Sequence, residues 1–358
     1  MKKTTDTIFL TVCAVFVLSL GVFIIVSPHK SFSPEENRVL AAPPVLSFSS
    51  FMSGKHFSDT SDFYSDHFPL RQILIKGKAI CELCFGKRQN NGVIFTQDGK
   101  QTDTCRYDNT VLLDKNLSAI SRFCSAQSAR CVLVPRSIDI CGNESEESLR
   151  ILAKVADTVD EPTLISVLDR NDYYKTDHHL NSEGAYKVYR QIISEFDIVP
   201  YEKTDFRIET VSDSFLGSTY SKSGLLKTSY DSISLYRYDN DSRISVNCKD
   251  TGCSQSAIYS MEKLEEKDKY TVFLGGNHGI LTVTDKSESR PTLLLIKDSF
   301  ANAVIPLLAR HFDITVIDPR YCAEPLSQIT NDRQFDHTVI LCGIDTLATG
   351  SAFARALN

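Results

Sequence analysis

The sequence contains no tryptophan and only three methionines in 358 residues. Without Trp the broadest face for stacking on a sugar ring is missing, so any such platform falls to the 14 tyrosines and 20 phenylalanines. A concentrated basic surface is also lacking. The net charge is −6 and no basic run is interleaved with aromatics, which argues against nucleic acid as a partner. Nor is there an internal repeat. A hydrophobic content of 42% with 23% charged residues excludes a disordered chain, and the length suits one large domain with insertions or two smaller ones.

What is present begins at the N-terminus. "MKKTTDT" precedes "IFLTVCAVFVLSLGVFIIV", an uncharged apolar run from Ile8 to Val26 of the length that spans a bilayer. Lys2 and Lys3 lie before it, so the positive-inside rule leaves Met1 in the cytoplasm and places the chain beyond Ser27 outside. A cleaved signal peptide is the rival reading. No small-x-small site precedes Pro28 and the run is long for a signal peptide, so we read residues 1–27 as an uncleaved, single-pass membrane anchor.

Eleven cysteines are many for this length. Cys248 and Cys253 are close enough for a local hairpin disulfide. Cys81 and Cys84 form C-x-x-C, the spacing of a redox pair or half a zinc site. No second C-x-x-C or H-x-x-H accompanies them, and "KAICELCFGK" also reads as an amphipathic helix with buried or disulfide-bonded cysteines.

After the anchor, the Ser- and Pro-rich segment 28–50 reads as a tether and 51–90 as a helical stalk, with "FPLRQILIKGKAICELCFG" its strongest helical piece. "NNGVIFTQDGK" has hairpin chemistry at Asp98-Gly99. From residue 91 to 358 strand and helix signals alternate. "CVLVP", "TLISVLD", "TLLLIKD", "DITVID" and "HTVILCG" are short apolar runs, as expected of strands buried on both faces of a parallel sheet. "SEGAYKVYRQIISEF" places Ala185, Val188, Ile192 and Phe196 on one helix face, and "FANAVIPLLARH" predicts a helix that Pro306 bends. Between about 206 and 284 the period shortens, which predicts a β-rich insertion in an α/β domain.

Parallel α/β sheets build sites beyond the carboxyl ends of their strands. Two segments arrive there with suitable chemistry. In "TLLLIKDSF", Ser299 leaves a strand for the first turn of a helix, where free N–H groups stabilise a developing oxyanion; the plainer reading is that Ser299 or Asp298 caps that helix. In "YYKTDHHLNSEGAY", Asp177 and His179 are two apart and can meet if the backbone turns, so Asp177 could hold His179 as a proton acceptor for Ser299. Asn181 or Ser182 would cap the following helix. A metal site is the second reading, with His278 as a further donor, and a polar loop without chemistry is the third. The residues alone leave all three open.

"YYKTDHHLNSEGAY" resembles the signature of the DHHW family of bacterial surface proteins, and "LLLIKDSFANAVIPLLARHFDITVIDPRY" resembles its second hallmark. Weaker echoes, such as "EENRVLAAPP", "SFLGSTYSKSG" and "VFLGGNHGILTV", extend the resemblance over most of the chain beyond the anchor. That family is similar to alginate O-acetylation proteins with SGNH-hydrolase-like domains. The resemblance implies a three-layer α/β/α fold with a parallel sheet. It also implies a catalytic Ser299, His179 and Asp177, with His178 as a spacer.

Gly217, Gly275, Asn277 and Arg320 are oxyanion or substrate candidates, the glycines because their backbone can approach a ligand closely. No metal or other cofactor follows from this mechanism. The expected substrate is a cell-envelope polysaccharide or glycan, with a membrane protein as acyl donor if the reaction is transfer. Leu180 stands where the family has Trp, a change expected to alter packing or an acceptor surface.

Overall fold

The computed structural model describes residues 2–357 apart from 34, 37, 97, 105–109, 141–145, 160–162, 165, 226–228, 240, 250–253, 256 and 331–332. The expected Cys248–Cys253 pair therefore lies outside the described residues. Contacts divide the chain into two compact units. One holds residues 1–91 with 221–227, the other 92–220 with 228–358.

In the smaller unit the first helix, Lys2–Val26, includes a stretch from Thr5 that is long and apolar enough to cross a membrane. Helices Phe48–Met52, Lys55–Asp66 and Arg71–Cys84 follow. Residues 28–50, read as a tether, are pinned by charge. Arg38 pairs with Asp66 and with Glu36 (2.9 Å), Arg71 pairs with Glu36, and Asp66 also accepts the Ala41 N–H (2.8 Å). The Arg38 hydrogen bond holds the Asp66 carboxyl below its ordinary range.

The larger unit is built on an eight-stranded sheet. We number its strands β1 Arg130–Val134, β2 Thr163–Leu164, β3 Ile244–Cys248, β4 Ser254–Gln255, β5 Ile280–Asp285, β6 Thr292–Lys297, β7 Asp313–Ile317 and β8 His337–Gly343. Their order is β4-β3-β5-β7-β6-β8-β1-β2. Pairing from β7 to β2 is parallel, and β5, β3 and β4 extend it as an antiparallel edge. The segment 206–284 thus does not stand wholly apart: β3, β4 and β5 join the main sheet, and the hairpin of Arg207–Phe215 with Asp231–Arg237 pairs separately.

Alternation along each strand makes the layers. Val132, Leu293, Leu295, Val339 and Leu341 face one core, which is covered by helix Ser182–Ser194 and by the 300–312 crossover. Leu133, Leu294, Ile296, Ile340 and Cys342 face the other, covered by helices Thr110–Gln127, Glu146–Thr158 and Ile344–Thr349. The connection from β6 to β7 runs over the first face, and that from β7 to β8 places Leu326 and Ile329 on the second. The chain therefore leaves the central strand β6 at a point where crossovers diverge, the usual place for a site in such sheets.

The residue following β6 and Asp298 is Ser299. Residues Ser299–Ala303 form a 3-10 turn and only Ile305–Leu308 is α-helical, with Pro306 in its first turn. Pro306 starts this helix and does not bend it, because a ring that lacks an N–H costs nothing where that N–H has no helical partner.

Candidate active site

The loop carrying the two histidines is closed on itself. Tyr173 and Leu180 form an antiparallel bridge, and the Tyr174 N–H donates to the His179 carbonyl at 3.2 Å. Asp231 clamps the approach, accepting the Lys175 N–H (2.9 Å), the Thr176 N–H (2.7 Å) and the Thr176 hydroxyl (2.6 Å). On the far side Asn181 caps helix Ser182–Ser194, taking the N–H groups of Glu183 (3.0 Å) and Gly184 (3.1 Å). A loop fixed at both ends holds its side chains in one arrangement.

In that arrangement Asp177 and His179 meet. Oδ1 of Asp177 lies 2.6 Å from His179 Nδ1 and accepts the His179 N–H at 2.9 Å, while Oδ2 takes the Ser218 N–H at 2.6 Å. Burial alone would raise the Asp177 carboxyl; the two neighbouring histidines and these hydrogen bonds outweigh it and hold it well below the carboxylate range. Burial, aided by His178, pushes His179 down to about 4 against the opposing pull of Asp177. The imidazole is therefore neutral at pH 7, with its Nδ1 proton fixed toward Asp177. Its other nitrogen, Nε2, is buried and has no hydrogen-bond partner among the described residues. A neutral ring held this way presents Nε2 as a proton acceptor.

Ser299 occupies the first position of the turn after β6 and is buried. Asp298, not Ser299, does the capping. Its Oδ1 accepts the Phe300 N–H (3.0 Å), and its Oδ2 accepts the Gly343 N–H (2.8 Å) and the Thr346 hydroxyl (2.6 Å), tying β6 to the end of β8. This frees the Ser299 hydroxyl. The side chain closest to it through a hydrogen bond is Arg320, whose Nη1 lies 3.5 Å from Oγ; Oγ does not hydrogen-bond His179 Nε2.

Tyr270 bridges the two halves. Its ring stacks on His179 at 4.1 Å and 9°, and its hydroxyl donates to the Ser299 carbonyl at 3.1 Å. Phe300 packs edge-on to His179 at 5.4 Å. The structure thus brings Asp177, His179, Ser299 and Arg320 to one place, 120 residues apart in sequence though two of them are.

Arg320 is held by a buried network. Asp318 accepts Arg320 Nε (2.9 Å) and Nη2 (2.8 Å) and pairs with Lys297 Nζ (3.1 Å), and Lys297 also donates to Asn302 Oδ1 at 2.8 Å. Asn302 donates in turn to Asn277 Oδ1 at 3.0 Å. Burial lowers the Lys297 ammonium and would lower Arg320, but for Arg320 the Asp318 pair prevails and keeps it charged.

The glycine candidates behave differently from the donors expected of them. The Gly217 N–H is engaged by Thr176 Oγ1 at 3.1 Å, and a Cβ there would sit 2.3 Å from the Asp177 Cβ. Gly217 is therefore a spacer against which Asp177 packs and not an oxyanion donor. Gly275 takes φ 75° in a turn with Gly276 (φ 113°), which the left-handed backbone itself explains. Leu180 is fully buried in the core, so the difference at this position concerns packing and presents no surface to a substrate.

Asp177, His178 and His179 offer ligand atoms within 4.8 Å of one another. Their closest donors already serve each other and Ser218: His178 Nδ1 lies 2.7 Å from the Ser218 hydroxyl, and both Asp177 oxygens are engaged. His278, the further donor considered, contacts the Leu274 carbonyl at 3.2 Å.

Tyr270, Asp231 and Ser218 were not legible as site residues. Each sits in a segment with ordinary strand or turn composition, and only the fold brings it to the loop.

The sequence model of the DHHW family, described as DHHW protein, matches residues 142–317. Among solved structures the chain is similar to a DHHW family protein from Eubacterium siraeum at a TM-score of 0.62 and 18% identity, covering 75% of this chain and 96% of that one. It is similar to Bacillus cereus PatB1 with a sulfonyl adduct at 0.59 and 18%, covering 74% and 99%. A weaker likeness is to the O-acetyltransferase domain of Pseudomonas putida AlgJ, at 0.40 and 11%, covering 72% and 93%. No curated protein matches the sequence. The α/β fold expected for the larger part of the chain is the one shared with the first two of these structures.

Proposed function

For a chain that carries the DHHW region, we propose an extracytoplasmic O-acyl transferase or esterase, with acetyl as the group and a cell-envelope carbohydrate as the substrate. The observation that carries this reading is the buried Asp177–His179 pair, whose Nε2 has no partner among the described residues and lies beside the turn that holds Ser299. Ser299 Oγ attacks the acyl carbonyl and His179 Nε2 takes its proton, then gives it to the donor's leaving group as the bond between that group and the acyl carbon breaks and the acyl-serine forms. Asp177 keeps the tautomer and stabilises the imidazolium. Rotation of the Ser299 hydroxyl toward Nε2 completes the contact on substrate binding, since catalytic hydrogen bonds often tighten only then. Arg320 and the Ser299 N–H face the oxygen that gains charge. A sugar hydroxyl then takes the acyl group, or water does in an esterase. The N-terminal helix is assigned as the anchor that holds the larger unit outside the membrane, and a membrane protein as the acyl donor in a transferase.

Ser299 Oγ lies toward Arg320 and not on Nε2, which favours a second reading, a glycan-binding or assembly protein that keeps the fold without turnover. Hydrolysis of a chromogenic acetyl ester by the full chain, beside Ser299→Ala, separates the two. Turnover lost in the variant supports the enzyme; equal rates in both sink the serine assignment. Stoichiometric zinc that disappears in His179→Ala would replace both readings with a metal site.

A further inference from the structure

The helix Arg71–Cys84 has a face that none of the described residues of its unit covers. At 100° per residue, Ile73, Leu74, Ile80 and Cys84 fall within an arc of about 120°, the width of a core-facing stripe. Yet Ile73 is 64% exposed, Leu74 54% and Ile80 40%, and Cys84 is exposed. Leu70 (70%) and Phe85 (91%) continue the stripe at its two ends. Buried Ala79 and the half-buried Gln72, Ile75 and Leu83 lie on the opposite side. The helix therefore packs by one side and offers an apolar stripe on the other, a surface that a soluble monomer does not normally leave open.

Two further observations identify what covers it. Lys76 lies at one edge of the stripe and Lys78 at the other, the arrangement that lets basic heads reach anionic headgroups while their stems follow the apolar face. The unit is also tied directly to the end of the membrane-length helix. His29, three residues beyond Val26, packs against Phe63 and His67 at 4.8 and 5.0 Å, and His67 Nε2 lies 3.2 Å from the Lys30 carbonyl. His67 stands four residues before Arg71. The start of the stripe is thus held a few residues from where the chain leaves the apolar helix.

We propose that Arg71–Cys84 is a membrane-surface helix. Its Ile73, Leu74 and Ile80 face enters the headgroup–acyl boundary of an anionic bilayer, and Lys76 and Lys78 lie against the lipid phosphates. The smaller unit is then held by two contacts with the membrane, one spanning and one in plane.

The absence of tryptophan makes the test direct. Full-length protein carrying Ile73→Trp, Leu74→Trp or Lys286→Trp is reconstituted in vesicles of phosphatidylcholine and phosphatidylglycerol. All three positions are exposed, so the folded core is untouched. The proposal expects blue-shifted emission from Trp at 73 and 74, with quenching strongest by bromines about 5–10 Å below the headgroups, and red, iodide-quenched emission from Trp at 286. Adding Lys76→Glu with Lys78→Glu is expected to move the Ile73→Trp emission toward that of Trp at 286. Iodide quenching at 73 equal to that at 286 overturns the proposal. Protection from iodide without bromolipid quenching, together with dimers cross-linked through Cys81 or Cys84, overturns it in favour of a second copy of the chain.

Discussion

Replacing Gly217 by alanine tests whether the Asp177–His179 pair is as tightly built as its geometry indicates. The added Cβ would lie 2.3 Å from the Asp177 Cβ, 2.4 Å from Oδ2 and 2.7 Å from Cγ. Carbon atoms prefer about 3.5–4.0 Å, so either the Asp177 side chain or the Gly217 backbone must move by more than about 1 Å. Neither is free. Asp177 is held through both oxygens, and Gly217 is bonded to Thr176, which is itself clamped by Asp231. Overpacking of this kind costs about 1–3 kcal/mol, and a displacement of about 1 Å at a catalytic group costs on the order of 100-fold in rate. The assay is thermal unfolding beside acetyl-ester turnover. Gly77→Ala is the control, because nothing lies within 4 Å of a Cβ there and the helix gains about 0.5–1 kcal/mol. Gly217→Ala with unchanged melting temperature and unchanged turnover would refute the reasoning, since it would show that the loop yields to a methyl group.

Other expectations follow from the same site. Turnover should rise with pH on an acid limb with a midpoint near 4 and then stay level to neutrality: His179 accepts a proton only when neutral, and burial lowers it to about 4. A limb near the ordinary histidine value would contradict the burial argument. Arg320→Lys keeps a positive charge but loses the paired contact with Asp318; turnover should fall by roughly 10–100-fold with little change in ester KM, measured by steady-state kinetics. Leu180→Ala should cost about 2–5 kcal/mol in urea unfolding, because a fully buried side chain is removed from the core beside the loop.

The sheet was readable because its central strands are buried on both faces. "TLLLIKD" and "HTVILCG" leave few alternatives to parallel strands once helices lie between them, and they are β6 and β8. The edge was not readable in the same way. β3 and β5 are short and half-polar, and such a pattern is equally consistent with an independent hairpin, so sequence alone cannot decide that they join the main sheet. At the site, the close Asp177–His179 spacing and the strand-to-turn position of Ser299 were local features. The role of Gly217 was not, because its reason for being glycine is a side chain 40 residues earlier. Tyr270 and Asp231 are ordinary residues in ordinary strands and turns, and their work depends wholly on long-range packing. The helix start at Ile305–Pro306 is not legible either, because the preceding 3-10 turn Ser299–Ala303 has a composition that also suits a helix.

The central claim is that Ser299 is a nucleophile served by His179. The full-length protein is mixed with the chromogenic acetyl ester, quenched in acid within the first turnovers and mapped by peptide mass spectrometry. The account predicts one acetyl group on the peptide bearing Ser299, absent from Ser299→Ala and strongly reduced in His179→Ala, and a sulfonyl fluoride should label the same serine. Acetyl on another residue, or no label on Ser299 from either reagent, would contradict it.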